Sequence, residues 1–349
     1  MANPARNSYS YVLFCLLAII SGVKGLNRNY DGPHTLFVFG DSYADTGNWK
    51  KSFTSSWKLP YGITFPGKPT GRFSDGRVLT DYIASYLDIR SPIPYKFMKI
   101  ASKSYFRYGM NFAYGGTGVF DTLVKEPNMT VQIDIFQRLV EKKVFKEEYL
   151  NSSIALVSVA GNDYFAYVVK NDNDNKNLPA FTTSLIDQLA TNLERIHSLG
   201  VRKIAVTAIE PMGCLPVATA SSSYKNCSKA GNLTSKFHNE ILAKTVQKLN
   251  EQRKRTDKSA FVMLNLYDAF LSAMKKHRKH TGSLKVKMNP LEPCCVGSCG
   301  SVDKSGAKLY NVCKKPAASF FWDSVHLSQN GWHAVYLALR SSLHKLTRM

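Results

Sequence analysis

Five short, almost continuously apolar runs are the feature that most constrains the fold of this chain. Such runs are typical of parallel strands that are covered on both faces, because neither face then needs polar side chains. They lie at residues 35–39 (TLFVF), 108–114, 154–160, 203–209 and 261–266. Amphipathic helical patterns lie between several of them, at residues 78–88, 131–143, 184–200 and 233–253. This alternation predicts an α/β fold, a three-layer α/β/α sandwich with a central, mostly parallel five-stranded sheet.

The first 25 residues have the pattern of a removable secretory signal. Arg6 precedes an apolar run at residues 11–20, and a short segment ending at Gly25 follows it. The run is too short to span a bilayer, which needs about 20 apolar residues, and no later stretch is long and uncharged enough. We predict that residues 1–25 are removed and that residues 26–349 form one domain of a secreted protein that is not transmembrane. Retention in the vacuole or in ER bodies stays open.

Cysteines and glycosylation sequons both agree with export, because six of the seven cysteines lie beyond the signal and an even number favours disulfides. Cys214 and Cys227 could close one short loop. Adjacent Cys294 and Cys295 seldom bridge each other, so each should pair with one of the last two cysteines, and a zinc site is the less favoured alternative. The six cysteines are Cys214, Cys227, Cys294, Cys295, Cys299 and Cys313, and the predicted glycosylation sites are Asn128, Asn151, Asn226 and Asn232.

The formal charge of +21 predicts attraction to polyanions. Basic residues concentrate at residues 251–258 and 274–287, where no fold signature of a nucleic-acid-binding protein is found. For a secreted protein the expected partner is therefore an acidic wall polysaccharide or another anionic surface, and not nucleic acid. A solvated, soluble face is the alternative interpretation.

Gly40-Asp41-Ser42 follows the first predicted strand, at the carboxyl edge of the sheet, where ligands bind in open α/β folds. A serine hydroxyl becomes a good nucleophile only when an imidazole takes its proton and a carboxylate orients that imidazole. Three histidines have a carboxylate three residues earlier. These pairs are Asp31/His34, Glu194/His197 and Asp323/His326.

Position along the predicted sheet separates the three pairs. His34 precedes the first strand while Ser42 follows it, which puts them roughly 20 Å apart at about 3.3 Å per residue. His197 lies near the end of a helix that returns from the carboxyl edge. The loop with Asp323 and His326 enters the last helix and opens on the carboxyl edge, so this pair is the predicted partner of Ser42.

Acyl transfer also needs hydrogen-bond donors for the developing oxyanion. Two further strand ends supply them. Glycines 115, 116 and 118 follow the second run, and Gly161-Asn162 follows the third. Glycine backbone can approach a substrate closely, and the asparagine amide is a side-chain donor.

Together these residues resemble the plant secreted GDSL esterase/lipase family of SGNH hydrolases. The resemblance rests on four ordered blocks and covers nearly the whole mature chain. The blocks are Gly40-Asp41-Ser42, residues 111–118, Gly161-Asn162-Asp163 and Asp323-x-x-His326. Residues 60–84 (PYGITFPGKPTGRFSDGRVLTDYIA), 208–216 (AIEPMGCLP) and 292–295 (EPCC) also look like family signatures.

The resemblance implies a flavodoxin-like SGNH hydrolase fold and cleavage of carboxylic esters without metal or cofactor. It implies Ser42 as nucleophile, His326 as base and Asp323 as the residue that orients it. The Ser42 backbone, Asn162 and Gly116 would form the oxyanion hole, with Gly118 as the alternate to Gly116. The esters expected are lipids, acylated polysaccharides or small acyl esters.

Three residues depart from the family pattern. Tyr43 stands in place of the usual leucine, Tyr114 stands in place of a serine, and Cys299 adds a thiol near the adjacent cysteines. Either tyrosine could narrow or polarise the cleft or could pack in the core. Two other functions stay open. The same site could pass the acyl group to a sugar or alcohol, or the chain could be a catalytically weak, basic binding protein of the cell wall or of a defence complex.

Overall fold

The protein is described by a computed structural model over residues 35–159, 161–172, 174–253, 260–283 and 289–347, with the side chains of 278–283 excepted. The predicted signal lies outside these residues, as do Asp31, His34 and residues 254–258 and 284–287 of the two basic segments. Residues 32–349 group into one compact unit by their backbone contacts. In the described part of the chain, no helix has both the length and the apolar character needed to cross a bilayer.

A parallel sheet of six strands forms the centre of the fold, in the order β2-β3-β1-β4-β5-β6. All five predicted strands are present. The sixth, β2, is a two-residue edge strand that was not predicted, because two residues carry no periodic pattern. The strands are β1 Thr35–Gly40, β2 Ile93–Pro94, β3 Gly109–Asn111, β4 Ser153–Ser158, β5 Lys203–Thr207 and β6 Phe261–Leu264.

Helices cover both faces of the sheet, which gives the three layers that the sequence predicts. The described α-helices are α1 Leu79–Tyr86, α2 Met129–Glu141, α3 Glu147–Asn151, α4 Gly161–Lys170, α5 Leu178–Ser198, α6 Pro216–Thr219, α7 Lys229–Glu251, α8 Leu266–Ser283 and α9 Gln329–Thr347. Side chains alternate across a strand, so β1 serves two cores. Phe37 and Phe39 pack with α2, α5 and α7, whereas Leu36 and Val38 pack with α1, α8 and α9.

A disulfide-bonded hairpin lies beside the sheet. It consists of β7 Cys295–Val302 and β8 Lys308–Val312. Cys294 bonds to Cys313 and Cys295 to Cys299, so each of the adjacent cysteines pairs with one of the expected partners. A third disulfide, Cys214 to Cys227, closes the short loop before α7. The cysteines that a zinc site would need are therefore all bonded to one another.

The asparagines of the four sequons differ in whether their side chains form hydrogen bonds within the fold. Asn151 and Asn226 are exposed. Asn128 caps α2 by accepting from the Val131 N–H, and its amide donates to Asp121. Asn232 accepts from the Gly213 N–H. Modification at Asn151 and Asn226 would therefore leave the internal hydrogen bonds of the fold untouched.

Gly40, the last residue of β1, is required by the close approach of β4. Its φ is +139°, and a Cβ there would lie 1.9 Å from the carbonyl oxygen of Ser158. We predict that Gly40→Ala destabilises the protein by more than about 3 kcal/mol, measured by urea unfolding. Gly67→Ala is the matched control, because Gly67 also has positive φ but no atom within 4 Å of its Cβ position. Its cost should be only about 1 kcal/mol of backbone strain, and equal losses in the two variants would contradict this account.

Candidate active site

The carboxyl ends of the parallel strands bring three of the four sequence blocks to one edge of the sheet. Ser42 follows β1, residues 112–118 follow β3, and Asn162 begins α4 after β4. Pairing of β1 with β4 sets Gly40 beside Ser158, and pairing with β3 sets Val38 beside Asn111. The edge therefore gathers side chains that are more than a hundred residues apart in sequence.

The Ser42 turn is held by hydrogen bonds to backbone groups. The Asp41 carbonyl accepts from the N–H groups of residues 44 and 45. The buried Asp45 carboxylate accepts from the N–H groups of Gly47 and Asn48 and also from Gly115, at 2.7, 2.7 and 3.0 Å. Asp45 therefore ties the serine turn to the glycine-rich segment after β3.

Ser42, His326 and Asp323 lie in one hydrogen-bonded chain. The Ser42 Oγ is 2.8 Å from His326 Nε2. His326 Nδ1 lies 2.9 Å from Oδ1 and 2.8 Å from Oδ2 of Asp323. Asp323 and Ser42 are buried, which excludes bulk water from most of this chain. With the Nδ1 proton directed at the carboxylate, Nε2 is left to accept the serine proton.

Asp323 keeps its charge although it is buried. Burial alone would raise its pKa, but the His326 imidazole and several hydrogen bonds hold the pKa below the usual value. The donors are the backbone N–H groups of Val325 and His326, both to Oδ1, and the Tyr61 hydroxyl, 2.8 Å from Oδ2. An ionised carboxylate at this position stabilises a protonated imidazole.

Three groups are candidate donors to a carbonyl oxygen bound at Ser42, namely the N–H groups of Ser42 and Gly116 and the Asn162 amide. Among the described residues, neither the Ser42 N–H nor the Gly116 N–H has a hydrogen-bond acceptor. The Asn162 Nδ2 donates to the Thr117 carbonyl at 3.0 Å and makes only a long contact of 3.4 Å to Asp41 Oδ2. Its second hydrogen can therefore turn to another acceptor.

Of the two glycines considered for this role, Gly116 is the accessible one. Gly116 is partly exposed and has a φ of +76°, a conformation that glycine adopts readily. Gly118 is buried, and the Asp163 carboxylate fills the space where its Cβ would be. The geometry therefore favours Gly116 over Gly118.

Two aromatic side chains form a wall beside the imidazole. The Phe73 ring lies 5.0 Å from the His326 ring and 6.0 Å from the Trp49 ring. Phe73 packs against Gly115 and Trp49 against both Gly115 and Gly116. The cleft is therefore apolar on the side between the base and the glycine segment.

Tyr43 departs from the family pattern. It packs in the core and also supports the loop that carries His326. Its ring contacts Trp332 edge-on at 5.1 Å, and its hydroxyl donates to the Val325 carbonyl at 2.8 Å. The same hydroxyl lies 3.3 Å from Oε1 of Glu210. Tyr114 also departs from the family pattern. It is partly exposed beside the glycine segment.

Sequence reasoning assigned no role to Tyr61, Phe73 or Glu210. All three lie in segments that were quoted only because they resemble family signatures. A tyrosine, a phenylalanine and a glutamate have no spacing relative to Ser42 that marks them. Their proximity to the triad arises only when the loops after β1, β5 and β8 fold onto one edge.

Buried acids next to the triad hold their protons more tightly than free carboxyls do. Burial raises the pKa of Glu210 to about 7, although the Tyr43 hydrogen bond and the nearby His326 lower it. Burial also raises the pKa of Asp163 to about 7 and of Asp45 to about 6, against their backbone hydrogen bonds. Each group therefore retains in the folded protein a proton that the unfolded chain releases at lower pH.

We predict that the free energy of unfolding falls as pH rises from about 4.5 to 7, because the unfolded chain binds fewer protons than the native state in this range. Glu210→Gln cannot ionise and should reduce the fall by up to about 3 kcal/mol. Urea unfolding at pH 5 and pH 7.5 measures this. Glu148→Gln, at an exposed side chain, is the control and should keep the wild-type dependence. Superimposable pH profiles for wild type and E210Q would contradict the assignment.

Comparison with known proteins agrees with the resemblance read from the residues. The family model described as GDSL-like Lipase/Acylhydrolase matches residues 36–339. Three Arabidopsis thaliana proteins, each named a GDSL esterase/lipase, are 50%, 49% and 42% identical to this chain. These alignments cover 95%, 89% and 88% of this chain and 95%, 88% and 86% of the relatives.

One solved structure that resembles this chain is an alpha/beta hydrolase enzyme from the metagenome of Lake Arreo, Spain. The alignment covers 90% of this chain and 97% of the chain of that enzyme. The TM-score is 0.44 and the identity 12%, so this likeness carries no argument. The family match and the half-identical relative each span most of the chain. The chain therefore belongs to the GDSL-like lipase/acylhydrolase family and is a carboxylic ester hydrolase.

Proposed function

We propose that the protein is a secreted serine hydrolase that cleaves carboxylic esters through an acyl-enzyme on Ser42. The observation that carries the proposal is the hydrogen-bonded chain from Ser42 Oγ through His326 to Asp323, with links of 2.8 Å at Oγ and at Oδ2. This order of hydroxyl, imidazole and carboxylate is the arrangement that activates a serine.

In the first half of the proposed reaction, His326 Nε2 takes the serine proton while Oγ attacks the ester carbonyl. The Asp323 carboxylate stabilises the imidazolium that forms. The tetrahedral oxyanion accepts from the N–H groups of Ser42 and Gly116 and from the Asn162 amide. One such donor is worth about 10²- to 10³-fold in turnover. The imidazolium then protonates the leaving alcohol as its bond to carbon breaks, and the acyl group stays on Ser42.

In the second half, a water molecule attacks the acyl-enzyme carbonyl while His326 accepts a proton from it. The second tetrahedral intermediate uses the same three donors. As it collapses, His326 returns the proton to Ser42 Oγ, and the carboxylic acid is released. An alcohol or sugar hydroxyl could replace the water, which would make the reaction an acyl transfer. Product analysis with competing alcohol acceptors distinguishes the two outcomes.

Secretion and binding to an anionic wall polymer are part of the proposal. The three disulfides support an oxidising compartment, and the exposed Asn151 and Asn226 are available to glycosylation. The formal charge of +21 supports attraction to acidic polysaccharide. The Phe73 and Trp49 wall supports an apolar group on the ester near the reacting carbonyl.

We predict that Ser42→Ala abolishes labelling by a fluorophosphonate probe and lowers ester turnover by about 10³-fold or more, with the melting temperature retained. Turnover is followed on a panel of acyl esters of graded length, and labelling is followed by intact mass. Ser158→Ala is the matched control, because Ser158 is also buried at a strand end but lies outside the proposed chain of proton transfer. The S158A variant should be labelled by the probe and should cleave esters at close to the wild-type rate.

Near-normal turnover in S42A would refute the proposed nucleophile. An unlabelled wild-type protein would instead favour a binding protein that has kept the fold without useful catalysis. Normal labelling with slow ester hydrolysis but rapid transfer to an added alcohol would assign the protein as an acyltransferase.

A further inference from the structure

A buried tyrosine contacts the acid of the proposed triad. The Tyr61 hydroxyl donates to Asp323 Oδ2 at 2.8 Å, and the residue is 4% exposed. Oδ1 of the same carboxylate already accepts from two backbone N–H groups. Oδ2, which Tyr61 contacts, is also the oxygen that lies 2.8 Å from His326 Nδ1.

The phenol is held in its protonated, donating form. Burial raises the pKa of Tyr61 well above its usual value, and the negative charge of Asp323 raises it further. Tyr61, Asp323, His326 and Ser42 thus form one continuous hydrogen-bonded series.

Tyr61 and Asp323 are held against each other by the disulfide-bonded hairpin. Tyr61 shares a small core with Cys294, Cys295 and Tyr310, and its ring meets the Trp322 ring edge-on at 6.1 Å. The N–H of Cys295 donates to the Trp322 carbonyl at 2.6 Å. The segment that ends at Asp323 therefore lies against the start of the hairpin, with an isolated bridge between Pro293 and Phe321.

The loop from Asp323 to His326 is closed on itself. The Trp322 N–H donates to the His326 carbonyl at 2.7 Å. The Tyr310 hydroxyl donates to the carbonyl of Leu59, two residues before Tyr61, at 3.1 Å. The backbone on the Asp323 side of the Tyr61 to Asp323 hydrogen bond is thus fixed by the loop itself, whereas the Tyr310 contact lies two residues away from Tyr61.

We propose that Tyr61 is a positioning residue for the ester hydrolysis, acting through Asp323 to hold the carboxylate in the rotation that directs His326 Nε2 at Ser42. This inference rests on the proposed function, because it assigns Tyr61 a part in the same reaction. Without the phenol, Oδ2 of Asp323 keeps only its contact with the imidazole in the part of the chain that the structure describes. The carboxylate can then rotate, and the imidazole that follows it loses alignment with the serine. Misalignment of this kind lowers the rate of the chemical step more than it weakens substrate binding.

Tyr61 also affects how tightly the acid and the imidazole share a proton. A carboxylate that loses a donor holds a proton more tightly. The acidic limb of the rate profile should therefore move to higher pH when the phenol is removed. The other titratable groups that face this pair are Tyr43 and Glu210, and neither contacts Tyr61. Their contribution stays the same in a Tyr61 variant.

The test compares Tyr61→Phe with Tyr310→Phe, which removes a hydroxyl from the same core without touching Asp323. For Y61F we expect kcat to fall about tenfold or more, the scale of a hydrogen bond to a charged group, with little change in KM. The acidic limb of kcat/KM should move to higher pH. For Y310F we expect a similar loss of melting temperature, with kcat and the pH profile kept.

A double-mutant cycle with Asp323→Asn shows whether Tyr61 acts through the acid. If it does, adding Y61F to D323N lowers kcat by much less than Y61F alone does. A fluorinated tyrosine incorporated at position 61 keeps the ring and strengthens the donor, so it serves if Y61F does not fold. With this residue the acidic limb should move to lower pH.

An unchanged kcat and pH profile in Y61F, or equal losses in Y61F and Y310F, would overturn the inference. So would full additivity in the cycle. Fluorophosphonate labelling of the wild type separates this failure from failure of the proposed function. If the wild type is labelled at Ser42 and Y61F is labelled at the same rate, only the role of Tyr61 is wrong. If the wild type is not labelled, the proposed hydrolase mechanism itself is wrong.

Discussion

The hydrogen bond between Ser42 Oγ and His326 Nε2 joins two residues that are 284 positions apart, and the arrangement of the edge depends on it. Each end is fixed separately. Gly40 and the Asp45 hydrogen bonds hold the serine turn against the sheet. The imidazole is held by the hairpin through Trp322 and by the Tyr43 hydroxyl through Val325. The serine turn and the loop with His326 are therefore each held by packing and hydrogen bonds on their own side, and together they set the distance of 2.8 Å.

Two buried carboxyl groups at this edge, those of Asp323 and Glu210, have pKa values shifted in opposite directions, because their neighbours differ. Asp323 has three donors and an imidazole, so its pKa stays low despite burial. Glu210 is equally enclosed, but among the described residues its side-chain hydrogen-bond partner is a single phenol, and burial raises its pKa to about 7. Placing an ionised and a protonated carboxyl near one imidazole is the way a protein separates the roles of two acids. The proposed catalysis uses the ionised carboxylate of Asp323. The protonated carboxyl of Glu210 makes the free energy of unfolding fall as pH rises.

The disulfide-bonded hairpin holds residues of the proposed active site in place. Cys294 and Cys295 donate from their backbones to the segment that leads to Asp323, and both are held by disulfides. Tyr61 packs on the same group and contacts the acid. The cysteines thus do more than stabilise a surface loop, because the positions of the acid and of its phenol donor are fixed by a substructure that an oxidising environment maintains.

The sequence by itself determined the α/β class, five of the six strands, four of the longer helices and the candidate group of Ser42, Asp323 and His326. Apolar runs and helical periodicity identify the strands and helices, and strand order along the chain indicates which loops share an edge. The edge strand β2, the burial that favours Gly116 over Gly118, and the contacts of Tyr61, Phe73 and Glu210 come only from the tertiary structure. These depend on burial and on the close approach of distant loops, and no local pattern of residues records which side chain will fill the space beside an acid or an imidazole.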